Sequence, residues 1–244
     1  MKNSAKRSRR TSRSLHPALV SCEHGGNEVP AEYARLFRGA RKVLHSHRGL
    51  DLGALEMAEA LGKRLGVRPF TATTTRLLVD LNRSRHNRTV FSEYSRKLSA
   101  AQRAAVLAEY YLPYRTAVER AVERALAKAT YIVHVSSHSF TPVFRGETRN
   151  CDVAFLYDSS RPRERRFIEA WHAELGARAP KLRIRRNYPY RGTSDALVTH
   201  LRRKHGARYV GVELEVNQKH VGRDYWRELV TLASDSLAAA LARD

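Results

Sequence analysis

Two histidines and a group of carboxylates are the residues of this 244-residue sequence whose types and spacing could do chemistry together. Glu23 and His24 follow the short apolar run Ala18–Ser21 and are followed by the glycine pair Gly25 and Gly26. His138 stands between Ser137 and Ser139 after the apolar run Tyr131–Val135. Glu213 and Glu215 interrupt the apolar stretch Tyr209–Val216, and Asp51 opens a stretch of helical spacing. A catalytic zinc site needs three protein ligands and leaves a fourth position to water. His24 and His138 would supply two imidazoles, and Asp51 or a glutamate the carboxylate. Such an ion polarises a carbonyl and brings the pKa of water down toward roughly 7. A separate carboxylate must then take the water's proton and deliver it to the leaving amine. Glu215 suits that task. A carboxylate in an apolar strand is costly unless it has work or a partner. Residues 213 and 215 of a strand face the same side, and like charges side by side raise one pKa.

Arginines are the second signal. In Thr75–Arg83, Arg76, Asp80, Asn82 and Arg83 alternate with apolar residues. Arg76 and Arg83 could grip a substrate carboxylate in bidentate fashion; an ion pair of Asp80 with an arginine is the plainer reading. Arg145, Arg149 and Arg191 are further candidate anion binders. Arg149 and Arg191 are favoured because Asn150 and Asn187-Tyr-Pro-Tyr beside them read as loop. His47, four residues before Asp51, is a further ligand or supporting group. His134, inside an apolar strand, reads as a satisfied core histidine, and Asp195 as a helix cap. The sequence has no Gly-x-Ser-x-Gly elbow, no phosphate-binding Gly-x-x-x-x-Gly-Lys-Ser/Thr and no Gly-x-Gly-x-x-Gly, which argues against a serine hydrolase, a P-loop enzyme and a dinucleotide fold.

These residues must be positioned by alternating strands and helices. Strands are expected at Ala18–Ser21, Phe70–Thr74, Leu77–Leu81, Tyr131–Val135, Val153–Tyr157, Leu182–Arg186 and Tyr209–Val216. Helices are expected over Asp51–Gly66, where Leu52, Leu55, Ala58, Leu61 and Leu65 share a face and Gly66 suits the C-cap. Others are expected over Ser99–Lys128 with a break or kink at Pro113, and over Arg163–Leu175, Ser194–Lys204 and Asp224–Ala242. The alternation predicts an α/β sandwich around a largely parallel or mixed sheet. In such sheets ligands bind beyond the carboxyl ends of strands, which is where His24, Asp51, His138 and the glutamates are expected.

The apolar share of 42 % permits one domain with a sizeable core. We expect a basic, disordered tail at residues 1–14, rich in serine and without the apolar segment of a secretory signal, and one domain over 15–244. No apolar run is long enough to span a membrane. Two cysteines are too few for a disulfide framework, so a cytoplasmic setting is the simplest. The net charge of +21 favours anionic partners. The arginines are scattered and lack the interleaved aromatics of a nucleic-acid module, so nucleic acid is expected only through the basic tail.

The segments Cys22-Glu-His-Gly-Gly-Asn-Glu-Val-Pro, His47-Arg-Gly-Leu-Asp-Leu-Gly-Ala, Arg76-Leu-Leu-Val-Asp-Leu-Asn-Arg, Ser137-His-Ser-Phe and Glu213-Leu-Glu-Val-Asn-Gln together resemble the N-formylglutamate amidohydrolase family, from about Leu15 to the end. The resemblance implies a three-layer αβα sandwich of the zinc-exopeptidase-like kind and hydrolysis of an N-acyl amino acid such as N-formylglutamate. The zinc-dependent N-acetylmuramoyl-L-alanine amidases are distantly similar. Their pattern implies one zinc ion on His24, Asp51 and His138, with Glu215 as base. Asp51 stands where those amidases have a glutamate, so Glu28 and Glu23 are alternative carboxylate ligands. The resemblance also implies Arg76, Asp80, Asn82 and Arg83 as pocket residues. Arg149 or Arg191 would hold the substrate carboxylate or the oxyanion. This sequence is closer to a branch with His-Arg-Gly-x-Asp and Asn-Tyr-Pro-Tyr-Arg-Gly than to the histidine-degradation enzyme, so the acyl group and amino acid stay open. The competing expectation is a non-catalytic binding protein of the same fold that recognises an anionic partner or nucleic acid.

Overall fold

A computed structural model of the chain describes residues 17–243; the expected basic tail lies outside the described residues. The described residues form eight strands and seven α-helices: β1 (Ala18–Cys22), α1 (Arg41–Leu44), α2 (Ala54–Leu65), β2 (Phe70–Thr71), α3 (Ala100–Val106), α4 (Leu112–Leu126), β3 (Ile132–Phe140), β4 (Val143–Phe144), β5 (Glu147–Thr148), β6 (Val153–Leu156), α5 (Pro162–Arg178), β7 (Ile184–Arg186), α6 (Leu197–His205), β8 (Tyr209–Asn217) and α7 (Trp226–Arg243). Six strands form one sheet in the order β2-β1-β3-β8-β6-β7. β2, β1, β3 and β8 run parallel, and β6 pairs antiparallel with β8, so the sheet is mixed.

The two central strands explain the layers. β3 and β8 are buried along their full length. Their alternate residues Val133, Val135, Val210, Val212, Leu214 and Val216 pack with α2, α5 and α7. Ile132 and Tyr209 point the other way, toward Val118 and Val122 of α4 and Leu197 and Leu201 of α6. The result is the expected three-layer αβα sandwich. Trp171 of α5 is fully buried in the larger cluster and donates its indole N–H to Ser236 of α7 at 3.0 Å. Truncating such a side chain costs about 3–5 kcal/mol.

Three expectations are corrected, and one break is found where it was expected. Helix α2 begins at Ala54, after Gly53 at φ +81°, so its buried face is Ala54, Met57, Ala58 and Leu61, and Leu52 is left exposed. Leu77–Leu81 is not a strand. Its buried side chains pack in a separate cluster with Tyr33, Phe37 and Val90. Its backbone is tied instead by Asp80 N–H to the Val90 carbonyl at 2.8 Å and Ser95 hydroxyl to the Leu77 carbonyl at 3.0 Å. The long helix has its expected break at Pro113, as a π-helical turn, Leu107–Tyr111, just ahead of the proline, whose missing N–H cannot continue an α-helical ladder. Finally, β3 runs on to Phe140 and β8 to Asn217, so His138, Glu213 and Glu215 lie within paired strands and not beyond their ends.

Candidate functional site

The site is assembled on β3 and β8 and on the loops after β1 and β2. Register places Ser136 opposite Glu213 and His138 opposite Glu215, all facing the α4–α6 layer. The loop after β1 brings His24 beside them. It lies so close to Ala72 and Thr73 that a side chain at residue 26 would come 2.5 Å from the Thr73 carbonyl oxygen, which requires glycine there. The Asp51 N–H donates to the His24 carbonyl at 2.9 Å and so fixes the two residues side by side.

Around these residues each imidazole is held at both nitrogens. Asp51 Oδ2 lies 3.2 Å from His24 Nδ1 and 2.8 Å from His138 Nδ1. His24 Nε2 meets Asp80 Oδ1 at 2.8 Å, and His138 Nε2 meets Glu23 Oε2 at 3.1 Å. Ser136 donates to Glu23 at 2.5 Å, and Tyr114 donates to its other oxygen at 2.9 Å. One ligand atom each from His24, Asp51 and His138 fall within 4.8 Å of one another, and all three residues are buried. Ligands in tetrahedral array at roughly 2.0–2.1 Å from zinc lie roughly 3.3 Å apart, so the Asp51–histidine spacings fit a shared cation. Metal-bound histidines ordinarily give their second nitrogen to a carboxylate, and Asp80 and Glu23 occupy those positions.

The electrostatics follow from the same contacts. Burial would raise Asp51, but the charges and hydrogen bonds of His24 and His138, with Arg76, hold it well below the usual carboxylate range. Burial opposes ionisation of Glu23 as well, yet His138 and Ser136 keep it low. Glu215 behaves oppositely. Burial, with repulsion from Asp51 and Glu213, pushes it up to about 8. Its Oε2 is buried and has no hydrogen-bond partner among the described residues.

A cavity of about 420 Å³ opens above this cluster, and His24, His47, Asp51, Arg76, Asp80, Asn82, Arg83, His138, Arg191, Glu213 and Glu215 line it, while Arg149, Glu23, Glu28, Arg145 and Asp195 do not. Asp51, His24, His138, Glu215 and Glu213 form its floor. Arg76 bonds Asp51 at 3.2 Å and Asp80 at 2.8 Å. Asn82 donates to Glu213 at 2.9 Å and accepts from the Leu197 N–H at the start of α6 at 2.8 Å. Arg83 bonds the Asp195 carbonyl. Asp195 does not cap α6: its carboxylate takes the Ser84 N–H at 3.0 Å and the Asn87 amide at 2.6 Å. Arg191 is exposed at the cavity wall. Arg149 stands behind the wall and reaches the Tyr190 hydroxyl at 3.1 Å. Glu28 is spent on Thr73 at 2.7 Å, away from the cluster. His134 is a satisfied core residue, bonded to Tyr209 at 2.6 Å and Ser21 at 2.8 Å.

Sequence reasoning missed Tyr190 as a wall residue and Tyr114 as a support for Glu23. Tyr190 is visible in the sequence only as part of Asn187-Tyr-Pro-Tyr. Tyr114 carries no local signal, because its partner is 91 residues away.

A mixed αβα sandwich with a buried His–Asp–His cluster beside its central strands defines a scaffold with a candidate metal centre. The N-formylglutamate amidohydrolase family model matches residues 16–221, and the chain belongs to that family. The gene product Atu2144 from Agrobacterium tumefaciens is 27 % identical, with a TM-score of 0.77 over 93 % of this chain and 91 % of that one. The N-formylglutamate amidohydrolase from Ralstonia eutropha JMP134 is 18 % identical, with a TM-score of 0.70 over 93 % of each chain, and shares the fold. A search among curated proteins found no significant match.

Proposed function

We propose that this protein is a metal-dependent amidohydrolase that cleaves the C–N bond of a small anionic N-acyl amino acid, of which N-formylglutamate is the first candidate. The observation that carries the reading is Glu215, a buried carboxylate with an unpartnered oxygen beside the His24–Asp51–His138 cluster. His24, Asp51 and His138 would hold one divalent cation, zinc by preference for this N/O set, which when bound polarises the amide carbonyl and makes water a better acid.

The positive charge of a cation on the cluster would offset the repulsion from Asp51 and favour ionised Glu215, which takes the proton of the attacking water and returns it to the amine nitrogen as the C–N bond breaks. Asp80 and Glu23 keep the two imidazoles oriented. Burial and the neighbouring Glu215 raise the Tyr190 phenol, so it stays protonated and donates to the oxyanion that develops on the carbonyl. Arg149 acts through Tyr190. Arg76 and Arg83 already serve Asp51, Asp80 and the Asp195 carbonyl. The exposed Arg191 is therefore the arginine assigned to the substrate carboxylate.

Both cysteines are free and buried, which suits a cytoplasmic setting, and no helix among the described residues is long and apolar enough to cross a membrane. No observation favours the binding-protein alternative. Elemental analysis of wild type and Glu215→Gln, with hydrolysis of N-formyl-L-glutamate, tests the reading. About one metal per chain in both, with activity at least 10³-fold lower in the variant, is expected. Metal-free wild type after zinc is offered, or full activity in Glu215→Gln, refutes it.

A further inference from the structure

Five large apolar side chains are exposed among the described residues, and two of them are at the cavity: Tyr190 lines it and Phe144 meets its wall residue His47. Leu52 (49 % exposed) follows Asp51, Val143 (53 %) and Phe144 (39 %) lie on the β4–β5 hairpin, and Tyr190 (44 %) is a wall residue. The fifth, Leu112, begins α4.

The hairpin leaves β3 directly beyond the metal-site face, and its two strands pair only with each other. Its turn, Arg145–Gly146, has positive φ at both residues (51° and 83°), the conformation that a tight two-residue hairpin requires. Arg145 adopts it without being glycine, so the hairpin is built at some cost. It adds no buried apolar residue to the core. It does carry Phe144 against the cavity wall. The Phe144 ring meets the ring of His47, a wall residue, at 6.2 Å between centroids. On its other side the Arg149 guanidinium lies 4.6 Å from the Phe144 ring centre and 5.1 Å from that of Tyr190, between the two. Thr141 and Tyr190 fix Arg149 by hydrogen bonds of 3.3 and 3.1 Å. The rim is thus a braced row of imidazole, phenyl, guanidinium and phenol.

Clustered exposed apolar groups mark binding surfaces, and a cavity of about 420 Å³ falls in the range of roughly 300–1,000 Å³ that holds drug-sized ligands. A formyl group is one carbon and one oxygen and offers such a rim no apolar surface to bury. We propose that the natural substrate is a carboxylate-bearing amide that also carries an aromatic or branched-alkyl group, bound against the rim of His47, Phe144 and Tyr190. This rests on the amidohydrolase reading and specifies its substrate class.

The test compares kcat/KM of the zinc-loaded protein on N-formyl-L-glutamate, N-benzoyl-L-glutamate and N-formyl-L-phenylalanine. At least a tenfold preference for one aromatic compound is expected. Benzoyl preference places the apolar group on the acyl side, phenylalanine preference on the amine side. In Phe144→Ala, a surface change checked by circular dichroism, that preference ratio should fall at least threefold. Equal or better use of N-formyl-L-glutamate by wild type overturns the proposal. Calorimetric titration of zinc-loaded Glu215→Gln with the same three compounds reads the rim without turnover. If none is hydrolysed but an aromatic compound binds at least tenfold tighter, amide hydrolysis falls and the rim stands. If the formyl compound binds as tightly, the rim falls.

Discussion

His24 Nε2 lies 2.8 Å from Asp80 Oδ1, while the same ring's Nδ1 faces Asp51. Asp80 is itself fixed, by Arg76 at 2.8 Å and by the Asn82 N–H at 2.9 Å. The His24 ring therefore cannot turn without breaking a buried charged contact. Losing such an outer carboxylate typically costs 10–100-fold in metal affinity. Asp80→Ala should weaken zinc binding by that order, measured by chelator competition. Unchanged affinity would mean that the ring is oriented by packing alone.

Glu215 makes a stability prediction with a definite sign. Its folded-state pKa of about 8 exceeds the ordinary 4.5, so the folded protein holds this proton more tightly than the unfolded chain. The resulting stabilisation is complete below pH 4.5 and is lost as pH rises through 8. Over three and a half units it amounts to at most about 5 kcal/mol. Glu215→Gln removes this dependence. Metal-free Glu215→Gln should match metal-free wild type near pH 5 and exceed it by several kcal/mol at pH 9, in urea unfolding at both values. Parallel behaviour of the two proteins across that range would show that the ionised carboxylate is not isolated.

His134 should make the protein acid-sensitive. Burial lowers its pKa from 6.5 to about 4, so the unfolded chain takes up a proton there before the folded one does. Its contribution is complete above pH 6.5 and is lost as pH falls toward 4, about 3 kcal/mol in all. In His134→Gln, the stability difference between pH 6.5 and 4 should shrink by that order relative to wild type, followed by chemical denaturation. Identical pH profiles would remove His134 as a source of acid sensitivity.

The fold was legible where periodicity is local. The apolar runs of β1, β6 and β8 and the Gly66 stop of α2 are read directly from residue type and spacing. The segment 77–81 was not, because its alternation matches a strand while its backbone bonds go to Val90, Ser92 and Ser95. Side-chain alternation carries no record of whether a neighbouring strand exists. In the site, the clustering of His24, Asp51 and His138 was anticipated from the family pattern and from strand ends. Glu23 and Asp80 as anchors were not, since both depend on contacts spanning 56 residues or more: His24 with Asp80, and Glu23 with Tyr114, Ser136 and His138. The contact of Arg149 with Tyr190 depends on a further long-range meeting, of the hairpin segment 141–149 with the loop 187–192.

That meeting gives the last prediction. Arg149 was expected from sequence to touch substrate, but its guanidinium is stacked on Phe144 and Tyr190 and bonded to the Tyr190 hydroxyl. If Tyr190 donates to the oxyanion, Tyr190→Phe removes a bond that matters most in the transition state. It should lower kcat by about 10²-fold and leave KM nearly unchanged, as loss of one oxyanion donor does. Arg149→Lys keeps the charge but loses the planar stack, so Tyr190 is left free to turn. It should lower kcat by a smaller factor. Because Arg149 works through Tyr190, the double variant should be no slower than Tyr190→Phe alone, and the two effects should fail to add. Fully additive losses would show that Arg149 acts on the substrate independently, and an unchanged kcat in Tyr190→Phe would take the phenol out of the reaction.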